Sequence, residues 1–97
     1  MPTVSFVERR IFAVEGFRVR IRHSGPGRQP GKDVRSDRAD APSYTYARAA
    51  PSDMTVAWWV ERRFTPLYPG WTVDVLDASG VPVHGGTHLS TVRDTFL

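Results

Sequence analysis

Residues 52–64 read S-D-M-T-V-A-W-W-V-E-R-R-F, the one stretch of this chain with clear helical periodicity. Thr55 is suited to the N-cap, because its hydroxyl can accept a hydrogen bond from a first-turn amide that has no partner within the helix. Met54 stands where it can staple onto the first turn. A turn of about 100° per residue places Val56, Val60, Phe64 and Leu67 on one side, with Trp59 flanking them. Arg63 falls at the margin of that stripe, where its stem can pack while its head reaches water. Glu61 and Arg62 fall on the opposite side, and Pro66 with Pro69-Gly70 ends the helix. Trp58 projects with Glu61, Arg62 and Thr65, away from the core stripe. Tryptophan is enriched among binding hot spots, so Trp58 with Arg62 is a candidate partner-binding pair. The plainer expectation is that a loop or the N-terminal segment covers Trp58, with Arg62 stacked on its edge.

The flanking segments read as strands. Residues 3–7 alternate weakly, and Glu8-Arg9-Arg10 interrupts the apolar pattern as a bulge or an edge would. Residues 11–14 and 17–23 are expected to form a hairpin around Glu15-Gly16, with glycine supplying positive φ at the turn. In that pairing Phe12, Val14, Phe17, Val19 and Ile21 share one face and Arg18, Arg20 and Arg22 the other. Alternation over residues 17–22 is strict. Residues 23–43, with 24–43 as a flexible basic loop, hold too many charges, glycines and prolines to bury much. Residues 44–47 are expected to add a short strand. Beyond the helix, residues 71–76 alternate with Trp71, Val73 and Val75 inward, and residues 77–80 form a turn. Residues 81–84 make a short strand, which Pro82 assigns to an edge. Gly85-Gly86 turns the chain again, and the last segment offers Leu89, Val92 and Phe96 to the core.

Ninety-seven residues make a single domain with one core. Apolar content of 40% and charged content of 24% are ordinary for a globular chain. No apolar run reaches membrane-spanning length, the first ten residues lack the pattern of a signal peptide, and cysteine is absent. A cytoplasmic location is the expectation. Net charge is +3, but residues 18–38 carry seven cations (Arg18, Arg20, Arg22, Arg28, Lys32, Arg35 and Arg38) against Asp33 and Asp37. That stretch is +5, so the remaining residues together carry −2.

Hairpin, loop, helix, strand, turn and strand are best buried by one helix lying across a small mixed sheet, an α+β domain of order ββαββ. This order resembles the ubiquitin-like β-grasp fold. The residues that carry the resemblance are R-R-I-F-A-V-E-G-F-R-V-R-I (9–21), M-T-V-A-W-W-V (54–60) and G-G-T-H-L-S-T-V (85–92). It implies a scaffold for protein contacts. The long loop, the additional residues 1–8 and the T-F-L ending in place of a diglycine tail depart from the pattern, so conjugation is not implied.

Arg18, Arg20 and Arg22 lie about 6.7 Å apart on one strand face, comparable with successive backbone phosphates. With Arg28, Lys32 and Arg35 they make a candidate nucleic-acid surface; the competing reading is a solvated face paired across strands with Glu8, Glu15 or Asp74. The loop S-G-P-G-R-Q-P-G-K-D (24–33) fails as a phosphate-binding loop, because Pro26 stands five before Gly31 and Asp33 follows Lys32. His84 and His88 are separated by Gly85-Gly86, which rules out one-face helical ligation, and no metal set or cofactor motif is present. No nucleophile or acid–base constellation points to an enzyme. The expectation is a small non-enzymatic module for protein–protein interaction, an adaptor or modulator such as a phage or mobile element encodes. A nucleic-acid-binding protein is the alternative.

Overall fold

The computed structural model describes residues 2–23, 33–35 and 37–97. Its elements run α1 (Val4–Glu15), β1 (Arg18–His23), α2 (Val56–Trp59) widening into a π-helical segment (Val60–Phe64), β2 (Trp71–Leu76) and α3 (Leu89–Asp94). Among the described residues this is a small mixed α and β fold whose sheet has two antiparallel strands, with Val19 opposite Val75 and Ile21 opposite Val73.

The N-terminal third corrects the expected hairpin. Residues 3–7 and 11–14 are not strands; they belong to the single helix α1. Thr3 caps it by accepting a hydrogen bond from the Phe6 amide at 3.2 Å, and Val4, Val7, Ile11 and Glu15 form its buried stripe. That spacing of three and four residues fits a period of 3.6. The β-branched residues at three of those positions favour strands intrinsically, and burial of one helical face overrides them. Glu8-Arg9-Arg10 is mid-helix rather than a bulge. Gly16 does adopt positive φ, +83°, but as the residue that ends α1, its amide bonded to the Phe12 carbonyl at 2.9 Å. The ββαββ order is therefore not found among the described residues.

A two-stranded ribbon is marginal alone, and here each edge receives one further backbone bond. The Val34 amide donates to the Ile21 carbonyl at 3.0 Å on the β1 side, and the Val83 amide to Val75 at 2.8 Å on the β2 side. The strand expected over residues 81–84 is reduced to a single bridge at Pro82, since proline has no N–H to extend a ladder. Residues 44–47 are irregular rather than strand. Of the long connection, residues 24–32 and 36 lie outside the described residues; Val34, Ala41 and Tyr44 within it are buried.

The core gathers Val19, Ile21, Val73 and Val75 from the sheet with Val7, Ile11, Val56, Trp59, Phe64, Leu89 and Val92 from the helices. An aromatic file runs through it: Phe17 meets Trp59 edge-on at 5.0 Å, Trp59 meets Phe64 at 6.2 Å, and Phe64 meets Tyr68 at 4.8 Å. Tyr68 then stacks on Trp71 at 6.0 Å. Each fully buried ring of this size contributes roughly 1.5–3 kcal/mol through burial.

Helices α2 and α3 cap one another. The Val56 and Ala57 amides donate to the carbonyls of Thr87 and Gly85, both at 2.9 Å, while Leu89 and Ser90 donate back to Met54 and Ser52. Thr55 supplies the expected side-chain cap, accepting from the Trp58 amide at 3.2 Å. The first-turn amides of α2 are thus all satisfied. Gly85 permits the close approach, since a Cβ there would lie 3.3 Å from that of Ala57.

Candidate interaction surfaces

Trp58 stands one turn into α2 and is 49% exposed. Arg62, one turn further on, holds its guanidinium 4.6 Å from the centre of the indole ring. Arg62 lies over the ring rather than at its edge, and about half of the indole surface is left open instead of being covered by a loop or by the N-terminal segment. Beneath it, Val56, Trp59 and Phe64 are buried, with Val60 and Leu67 packed against the core. The π-helical turn, in which the Thr65 amide donates to Val60 at 2.8 Å, has no counterpart in the helical wheel drawn from the sequence. It widens the turn and so changes the angular phase of the residues that follow.

The arginine row sits where alternation places it. Val19 and Ile21 are buried and Arg18 and Arg20 exposed, with Arg22 partly buried beside them. Its electrostatics are those of a paired face. Arg22 contacts Asp74 at 2.9 Å and Asp33 at 3.5 Å, and Arg20 approaches Asp33 at 3.9 Å. Arg18 lies over the Phe12 ring at 5.3 Å. Arg35 is exposed and forms a two-pronged pair with Asp37. Arg28 and Lys32 lie outside the described residues.

The most connected polar group is one the sequence reading assigned to a turn. Glu15 is 1% exposed. One carboxylate oxygen accepts from the Tyr44 hydroxyl at 2.5 Å and Arg63 at 2.8 Å; the other accepts from the Ala50 amide at 2.8 Å and Arg93 at 3.3 Å. Arg93 also donates to the Glu15 carbonyl at 2.6 Å, and Arg63 to that of Arg48 at 2.6 Å. Both oxygens are fully engaged and closed off from solvent, so the carboxylate has no free lone-pair direction for a substrate. This is a structural hub. Its sequence signal was a single acid set between Val14 and Phe17, at the helical spacing of Val4, Val7 and Ile11.

Glu8 also has a distinctive setting. It accepts from the Ile21 amide at 2.9 Å, and burial holds its pKa above the ordinary glutamate value despite that hydrogen bond. His84 accepts from the Gly86 amide at 3.0 Å within its turn, and His88 is the residue before α3. Among the described residues no group of three or more His, Asp or Glu side chains could hold a metal ion, and no helix is long and apolar enough to cross a membrane. No family model, curated protein or solved structure matches this chain.

Proposed function

We propose that this chain is a small non-enzymatic protein-binding module whose anchor is Trp58 with Arg62. The observation that supports this reading most is the half-open indole, stacked by Arg62, on a helix whose first turn is held by a complete set of caps. An aromatic side chain with few rotatable bonds, presented on a fixed element, loses little conformational freedom on docking. Trp and Arg are also the residue types that dominate measured hot spots. A β-grasp kinship is not needed for this reading, since the anchor stands on the helix itself. The nucleic-acid alternative draws less support: Asp33 and Asp74 lie among the sheet arginines and offset much of the charge a phosphate chain would meet.

The test is a binder selected against the folded protein from a displayed protein library, then titrated against variants. Trp58→Ala is expected to weaken binding by tenfold or more while the melting temperature stays within about 2 °C, as for other surface substitutions. Arg62→Ala should weaken it less. Unchanged affinity for both variants, or a large fall in melting temperature on replacing Trp58, would overturn the assignment.

A further inference from the structure

Helix α1 and the arginine-bearing face of the sheet enclose a trench. One wall is the helical strip Ser5, Glu8, Arg9 and Phe12, spaced as one face of a helix. Arg18 and Arg20 form the facing wall, and Leu76 with Val19 lies between them. Leu76 pairs with Arg18 across the ladder and so shares its face. The trench has two lobes of about 600 and 420 Å³ that meet at Glu8, Val19 and Leu76. The second lobe is lined further along by Asp33, Val34 and Arg35, and Arg20 lies 3.9 Å from Asp33 there. The strand residues that line the trench run from Arg18 to Ile21, about 10 Å of extended chain.

The outer edge of β1 is finished by substitutes for a neighbouring strand. Glu8 takes the Ile21 amide and Val34 gives its own amide to the Ile21 carbonyl. Val19, two residues earlier, directs its N–H and C=O to the same edge. Arg9 and Arg18 make the first lobe cationic apart from Glu8, whereas Asp33 offsets Arg20 at the second. Neither Arg9 nor Arg18 forms an ion pair among the described residues, and Arg18 is held over the exposed Phe12 ring.

We propose that this trench binds an extended acidic peptide segment of another protein. Its backbone meets the β1 edge at Val19, beside the Ile21 groups already bonded, its carboxylates meet Arg9 and Arg18, and one apolar side chain settles between Phe12 and Leu76. Charge complementarity selects this occupant over a nucleic acid. A phosphodiester chain carries a charge at every residue and would run against Glu8 and Asp33, whereas a peptide can turn N–H groups toward those carboxylates and keep its acids beside Arg9 and Arg18 in the first lobe. The site shares no residue with the Trp58 anchor and stands or falls without it.

The probe is a fluorescein-labelled heptapeptide, Ser-Glu-Thr-Phe-Thr-Glu-Ser, followed by anisotropy and by amide chemical shifts of the ¹⁵N-labelled protein. A peptide with Lys at every acidic position and a single-stranded oligothymidylate serve as comparisons. Saturable binding of the acidic peptide is expected, with shifts clustered at Glu8, Val19 and Leu76. The double variant Arg9→Glu, Arg18→Glu should weaken it at least tenfold. Ser5→Trp, which fills the helical wall without changing charge, should do the same, and Trp58→Ala should leave it unchanged. The proposal is overturned by non-saturable binding, by equal affinity in the Arg9→Glu, Arg18→Glu and Ser5→Trp proteins, by shifts centred on Trp58, or by oligothymidylate binding more tightly at the same residues.

Discussion

Glu15 links four segments with one carboxylate: the end of α1, the irregular stretch around Tyr44 and Ala50, the π-helical segment through Arg63, and α3 through Arg93. Removing one partner of a buried ionic cluster leaves the others uncompensated, which typically costs about 3–5 kcal/mol. Glu15→Ala is therefore expected to lower denaturant stability by about that amount, and Tyr44→Phe by about 1.5–3 kcal/mol for one hydrogen bond to a charged group. Tyr68 behaves differently. Its buried hydroxyl finds no hydrogen-bond partner among the described residues, so Tyr68→Phe should preserve or raise stability at neutral pH. Burial pushes the Tyr68 pKa from 10.0 up to about 12, and burial together with the Glu15 carboxylate also raises that of Tyr44. Between these limits the unfolded chain releases protons that the folded chain keeps, so stability falls as pH rises above 10. Urea midpoints measured from pH 8 to 12 should show that decline, and it should be shallower in Tyr68→Phe.

At the scale of elements, period decided what could be read. Residues 52–64 and 17–22 each carry one unambiguous repeat, and both the Thr55 cap and the inward Val19 and Ile21 are where that repeat puts them. The Asp77 turn was also legible: its carboxylate takes the Ser79 and Val81 amides, and Gly80 has φ of +79°. Helix α1 was not legible, because Val4, Val7 and Ile11 favour strands by propensity and only their burial against β1 makes the helix. The Glu15 hub was hidden for a related reason, its partners lying 29, 35, 48 and 78 residues away. Trp58 was legible as a residue that leaves the core stripe; Phe12 was assigned inward and is in fact exposed. Two substitutions test the element ends. Thr55→Ala should cost about 1 kcal/mol through loss of the cap. Gly85→Val should cost about 1–3 kcal/mol by crowding Ala57, and thermal unfolding by circular dichroism measures both.

Over the whole molecule, the reciprocal caps and the Glu15 hub join the first helix to the last. Such non-local closure slows folding, because chain entropy is lost before the contacts form. Deleting residues 85–97 removes the Gly85 and Thr87 carbonyls that cap α2, together with Arg93, Leu89 and Val92. The shortened chain is expected to lose its cooperative melting transition rather than to melt a few degrees earlier. Charge acts on a different range: Arg18, Arg20 and Asp33 are exposed and only Arg22 and Asp74 are partly buried, so added salt should change stability little while weakening any contact made through Arg9 and Arg18.

The aromatic file also equips the protein with its own optical gauge. Trp59 is sealed in the core, Trp71 is partly covered by Tyr68 and by Arg38, whose guanidinium lies 5.1 Å from its ring, and Trp58 is half open. A water-soluble quencher such as iodide should therefore extinguish the Trp58 emission well before that of Trp59. A molecule seated on the α2 face would protect that quenchable fraction, and one seated in the α1 trench would leave it untouched, so light emission alone distinguishes the two docking faces without any added label.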